Sequence, residues 1–88
     1  MKYEILYKEK VKTEDIPSLD KNIREQIKNA IETKLGVRPE IFGKPLRNSL
    51  KGYRKLRVGD YRIVFELQKT TITIMAIKHR SKIYKSLK

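Results

Sequence analysis

The stretch Tyr53-Arg54-Lys55-Leu56-Arg57-Val58-Gly59-Asp60-Tyr61-Arg62-Ile63-Val64-Phe65-Glu66 constrains the fold more than any other part of the chain. Apolar residues alternate with cationic ones on both sides of a Gly-Asp pair, the pattern of two antiparallel strands joined by a tight turn. With Gly59 and Asp60 as a two-residue loop, Val58 pairs with Tyr61, Arg57 with Arg62, Leu56 with Ile63 and Lys55 with Val64. Cross-strand partners share a face, so Leu56, Val58, Tyr61 and Ile63 lie together and Lys55, Arg57 and Arg62 lie on the other side. Like charges set opposite one another are destabilising. Three cations gathered on one face therefore point to an anionic partner.

The rest of the chain supplies the layers around this hairpin. Lys2 to Tyr7 is rich in β-formers and reads as a first strand. Lys8 to Asp15 nearly alternates in charge with Val11 as its one apolar anchor, and a helical turn or two fits between Lys10 and Leu19. Ser18 or Asp20 can cap the next helix, whose Ile23, Ile27, Ala30, Ile31 and Leu35 form one apolar stripe. That stripe is core packing against a sheet. Gly36 is expected to take the left-handed position that ends the helix, and Pro39 forbids its resumption. Glu40 to Gly52 reads as a loop anchored by Phe42, Leu46 and Leu50. Gln68-Lys69-Thr70 makes a turn, and Thr71 to Lys78 is a continuous apolar strand suited to a central position. The architecture is α+β. A small antiparallel sheet, made of the N-terminal strand plus a three-strand C-terminal meander, carries N-terminal helices on one face.

With 88 residues, the chain has room for one domain, 1–88, and no more. It contains no cysteine, which removes disulfides and thiolate chemistry and fits a reducing, cytoplasmic location. No apolar run has the length of a signal peptide or a membrane span. The net charge of +12 is segregated: residues 44–62 hold seven cations against Asp60 alone, and residues 78–88 hold five cations and no acid. Those two segments account for nearly all of it. Charge placed in this way attracts nucleic acid or an acidic protein.

The residue inventory narrows the chemistry. One histidine and no cysteine make no zinc cluster, and Val58-Gly59-Asp60 is a turn and not a phosphate-cradling loop. Neither Ser49 nor Ser81 stands at a spacing that announces a triad with His79. No metal or cofactor is called for. What remains is a set of cations and a phenol: Lys55, Arg57, Arg62, Lys78, His79, Arg80 and Tyr84. Such a set suits phosphodiester chemistry, in which negative charge builds on the phosphorus oxygens. RNA brings its own nucleophile, the ribose 2′-OH. Cleavage then needs a base for that hydroxyl, cations for the phosphate and an acid for the leaving 5′-oxygen. Lysine can give up a proton and arginine keeps its charge, so arginine's role is stabilisation. Blander readings stand beside these: Arg62 pairing with Glu66 along the same face, Tyr84 closing the core, and Lys55 as a solvated charge.

The phrase from Leu50 to Phe65 and the ending Ala76-Ile77-Lys78-His79-Arg80-Ser81-Lys82-Ile83-Tyr84 resemble the signature of the RelE/ParE toxin superfamily. The order of strand, helices, three-strand meander and basic tail extends that resemblance over essentially the whole chain. Its RelE branch implies a toxin of a type II toxin–antitoxin system that enters the ribosomal A site and cleaves mRNA, neutralised by a cognate acidic, RelB-like antitoxin. Its ParE branch implies a gyrase poison without the full catalytic set. A third possibility is an inactive homologue that binds only antitoxin or operator complex.

Carried over by position, Lys55 matches the strand lysine implicated in activating the 2′-OH, and Arg62 the arginine that stabilises the scissile phosphate. The basic residue after the last strand falls on Lys78 or Arg80. Tyr84 matches the C-terminal tyrosine that stacks on or orients the base. The resemblance thus implies Lys55, Arg62, Arg80 and Tyr84 as catalytic and Tyr53, Arg54, Arg57, Lys78 and His79 as substrate-binding. Two positions depart from the pattern: Tyr53 stands where some members carry a second alternating lysine, and Lys78 stands in for an arginine. Some branches use a histidine near His79 as acid or base.

Overall fold

The structure is a computed structural model, and it describes residues 3–39, 53–82 and the backbone of 44–45. Strand β1 spans Glu4–Tyr7 and is followed by a π-helical turn, Val11–Asp15. Helix α1 spans Lys21–Ala30 and continues as a π-helical segment, Ile31–Leu35. Four further strands follow: β2 (Lys44–Pro45), β3 (Tyr53–Val58), β4 (Tyr61–Gln68) and β5 (Thr71–His79). They form one sheet in the order β1-β5-β4-β3-β2.

The hairpin has the register that its alternation dictates. Val58 is opposite Tyr61, Arg57 opposite Arg62, Leu56 opposite Ile63 and Lys55 opposite Val64. Gly59 has φ +58° whereas Asp60 stays out of the left-handed region, the combination found when glycine leads a two-residue hairpin loop. A second two-residue turn, Lys69-Thr70, joins β4 to β5, and there a non-glycine residue, Lys69, takes φ 54°. Strand β5 lies inside the sheet between β1 and β4, as its unbroken apolar run suggested.

The α+β architecture is present, and the sheet is mixed instead of antiparallel throughout. The meander β3-β4-β5 is antiparallel, but β1 runs parallel to β5, with Glu4 opposite Thr71 and Tyr7 opposite Ile74. The reason lies in the crossover. Helices between β1 and β3 return the chain to the end of the sheet from which it started, so β3 runs with β1. Two hairpin reversals later, β5 has the same direction. The segment expected to be a loop contributes the two-residue strand β2, with Pro45 opposite Arg54. Proline donates no ladder hydrogen bond, and an edge strand is where a sheet tolerates it. The expected anchors Phe42, Leu46 and Leu50 lie outside the described residues.

Asp20 caps α1, its carboxylate accepting the Ile23 N–H at 3.0 Å. The stripe does what its spacing implies: Ile27, Ile31 and Leu35 are buried, and Ile23 and Ala30 pack against them. They meet Leu56, Ile63, Phe65, Ile72, Ile74 and Ile77 from the sheet in one core cluster. Gly36 departs from expectation. Its φ is −66°, ordinary right-handed backbone, and its N–H bonds Ile31 O at 2.9 Å across the widened turn. Glycine is needed there for space: a Cβ would stand 2.6 Å from the Glu32 carbonyl oxygen.

Above the core, Tyr7 borders an apolar cavity of about 310 Å³ together with Ile16, Leu19, Ile27, Ile31 and Ile77. Burial pushes the Tyr7 phenol above its ordinary value, and the Glu32 carboxylate adds to the shift. The folded state therefore holds the phenolic proton more tightly than the unfolded chain does. That contribution is whole below the unfolded-state value and is lost as pH rises through the folded-state value. We expect the stability difference between the natural protein and Tyr7→Phe to be flat at neutral pH and to fall above about pH 10, where a free phenol ionises. Urea denaturation of both proteins across that range checks it, and a difference independent of pH would refute it.

Candidate nucleic-acid interface

The register sets three cations in a row across three adjacent strands: Arg57 on β3, Arg62 on β4 and Lys78 on β5. Neighbouring strands lie about 4.8 Å apart, so the whole row is only about 10 Å wide at the backbone. Lys55 stands two residues before Arg57 on the same side, opposite Val64. This face is the one turned away from α1. It carries a small apolar patch of Val64 and Ala76, with Tyr53 and Met75 packed on them.

A bulge in the pairing at Val64/Phe65 makes this division possible. Phe65 is opposite Ile74 and Val64 opposite Ala76, so Met75 is the extra residue. Ile74 and Ile77 thereby both enter the core under α1, whereas Met75 and Ala76 both face the basic side. Without the extra residue, strict alternation would place Ile74 and Lys78 on one face. The bulge is what puts Lys78 beside Arg62.

Arg62 is half-buried, and its Nη1 donates to the carbonyls of Gly59 and Tyr61, each at 3.1 Å. It braces the turn with one end of the guanidinium, and Glu66 does not figure in these contacts. Lys78 is drawn elsewhere: its Nζ lies 2.8 Å from Oδ1 of Asp15, on the other side of β5. Arg80 leaves the strand with its N–H bonded to Asp60 O at 2.8 Å, which fixes the end of β5 to the β3–β4 turn.

The remaining expected residues are distributed differently. Arg54 is opposite Phe65, so its register position is on the helix-covered side. His79 is opposite Tyr61, and the two rings meet edge to face with centroids 5.5 Å apart. The Ser81 N–H donates to His79 Nδ1 at 3.3 Å, and the Ser81 Oγ lies 3.0 Å from the same nitrogen. With Nδ1 accepting, the neutral ring carries its proton on Nε2. Thus Lys55, Arg57, Arg62 and Lys78 share one face with Tyr53, Arg80 extends from its corner, and Arg54 and His79 stand on the reverse side. Tyr84 lies outside the described residues.

Sequence reasoning missed Asp15. It is 3% exposed, although it reads as one more charge in a charged segment. The signal was its spacing: Val11, Asp15 and Leu19 recur every four residues and so share one helical face with the segment's apolar anchor.

Comparison with known proteins gives this arrangement a context. The family model for the ParE toxin of type II toxin–antitoxin systems, parDE, matches residues 5–84. Toxin RelG of Mycobacterium tuberculosis is 38% identical over 53 residues, a stretch that spans 58% of this chain and 61% of that protein. The crystal structure of the toxin–antitoxin complex RelBE2 from M. tuberculosis contains a chain that superposes with a TM-score of 0.83 at 27% identity, covering 91% of this chain and all of that one. A chain of the RelB–RelE antitoxin–toxin complex from Methanococcus jannaschii superposes with a TM-score of 0.70 at 28% identity, covering 94% of this chain and 99% of that one. The match of the family model over nearly the whole length, on a fold that these structures share, makes the chain a member of the ParE toxin family within the RelE/ParE superfamily of type II toxin–antitoxin toxins.

Proposed function

We propose that this toxin is a ribosome-dependent endoribonuclease that cleaves mRNA in the ribosomal A site. One observation carries the reading: Arg57 and Arg62 stand opposite one another on adjacent strands, with Lys55 on the same face and the backbone position of Lys78 next to Arg62. Placing like charges opposite one another costs stability, and a polyanion repays that cost on binding. In the reaction, Lys55 as its free amine takes the proton of the 2′-OH while the 2′-oxygen attacks phosphorus. The P–O5′ bond breaks, the 5′-oxygen leaves with a proton supplied by an acid of the basic tail, and a 2′,3′-cyclic phosphate remains. Arg62 stabilises the charge on the non-bridging oxygens throughout. Arg57 holds a flanking phosphate, Arg80 adds its charge at the scissile phosphate, and Tyr84 stacks on a base. The site of action is the cytoplasm, where translating ribosomes are.

The partner that restrains the toxin is an acidic antitoxin. Two structural relatives are toxin–antitoxin complexes, which supports this assignment, and the chain's +12 charge supplies the complement. An acidic segment that folds on the basic surface would bind less tightly as salt rises.

Cell-free translation with toeprinting tests the proposal. Added toxin should produce truncated mRNA with cuts in the A-site codon, and intact mRNA under continuing translation would overturn it. The family match to a ParE toxin favours a second reading, inhibition of DNA gyrase without cleavage. A supercoiling assay separates the two, because gyrase inhibition with intact mRNA selects the second.

A further inference from the structure

Among the described residues, Asp15 is the one buried polar or charged side chain. It occupies the last position of the π-helical turn, whose backbone dipole disfavours a carboxylate. Two contacts with β5 hold it. Oδ2 accepts the Ile77 N–H at 2.9 Å, and Oδ1 has the Lys78 ammonium 2.8 Å away and no further hydrogen-bond partner.

The backbone shows why a side chain is needed at that point. β1 ends at Tyr7 opposite Ile74, and Lys8 N–H donates to Ile74 O at 3.1 Å just past its end. Beyond it, β5 continues to His79 with no strand on that side. The Ile77 N–H points into the vacated edge, and the Asp15 carboxylate takes the place that a strand carbonyl would have filled. Lys78 begins on the basic face opposite Arg62 and reaches around the same edge. Asp15 therefore ties the helical layer to one member of the cation row.

We propose that Asp15 is a positioning residue of the basic face. It draws the Lys78 ammonium to the sheet edge, away from an anion lying over Arg57 and Arg62. Through Ile77 it also sets the direction in which His79 and Arg80 leave the strand. The inference rests on the RNA reading of that face.

The test is the salt dependence of binding of a single-stranded oligoribonucleotide to the full-length protein. Asp15→Asn keeps an acceptor for the Ile77 N–H but removes the charge that holds Lys78. The freed ammonium adds a phosphate contact, so the slope of log K against log salt should steepen by about 0.7. Adding Lys78→Met to Asp15→Asn should remove that increment. A purely structural role for Asp15 would change stability without changing the number of ions released, so an unmoved slope in folded Asp15→Asn overturns the proposal.

If Asp15→Asn does not fold, trace acetylation of the natural protein decides. Lys78 should label more slowly than exposed Lys69, and bound RNA should add no protection. Labelling of Lys78 as fast as Lys69, or its protection by RNA, overturns the proposal. Arg62→Ala serves as the control for the underlying reading. If that variant binds RNA as tightly as the natural protein, the RNA assignment of the face fails, and the labelling still decides the Asp15 contact. If it binds weakly while the Asp15→Asn slope is unmoved, only the role of Asp15 fails.

Discussion

Arg62→Ala is expected to reduce mRNA cleavage by about 10²- to 10³-fold, the loss typical of removing one preorganised group that stabilises transition-state charge. Stability should hardly change. The side chain's hydrogen bonds go to two turn carbonyls, and each such bond is worth about 1 kcal/mol net. Against that loss stands relief of repulsion from Arg57, which is directly opposite on β3. The two effects oppose each other, so the net loss is smaller than the hydrogen bonds alone would give. Toeprinting for cleavage and thermal melting for stability should therefore separate cleanly. A folded Arg62→Ala protein that cuts mRNA at close to the natural rate would remove Arg62 from the mechanism.

Phe65→Ala is expected to have the opposite signature, with stability lost and the basic face untouched in composition. Phe65 is fully buried in the main cluster, between the sheet and the helical stripe. Truncating a buried phenylalanine to alanine costs about 3–5 kcal/mol in lost transfer energy and residual cavity. Native domains of ordinary size have only about 5–15 kcal/mol in total, and one this small sits toward the lower end. At about 4–8 °C per kcal/mol for a domain of this length, melting should fall by tens of degrees. Differential scanning calorimetry measures this directly, and a drop of only a few degrees would mean that the site collapses around the smaller side chain.

The parts of this fold that were legible in the sequence are those with a short period. Alternation over Tyr53–Glu66, with glycine at the one position requiring positive φ, gave both the pairing partners and the faces of the hairpin. The stripe Ile23, Ile27, Ala30, Ile31 and Leu35 gave the buried side of the helix. Period tells which side of a strand is buried, but it does not name the neighbouring strand. The parallel match of β1 to β5 was therefore invisible, because it depends on where the helical crossover delivers the chain. Gly36 misled because glycine after a helix usually signals a left-handed residue, whereas here it relieves a close approach to Glu32. Arg54 carries the same charge as its neighbours, but the alternation sets it on the Leu56 side. Asp15 reads as a solvated acid in a charged run, and only the sheet's unfilled edge explains its burial.

The position of β5 has a consequence for synthesis. Its residues Thr71–His79 complete the middle of the sheet, and Glu4 must wait for Thr71 to be made before it has a partner. A nascent chain halted before that point lacks the strand that joins β1 to the β3–β4 hairpin, so its helices have no completed sheet to pack on. Nascent chains arrested upstream of Thr71 should be digested by protease along their length, and those released beyond His79 should resist. Built in this order, the chain closes its sheet only when β5 has been made, after every other strand.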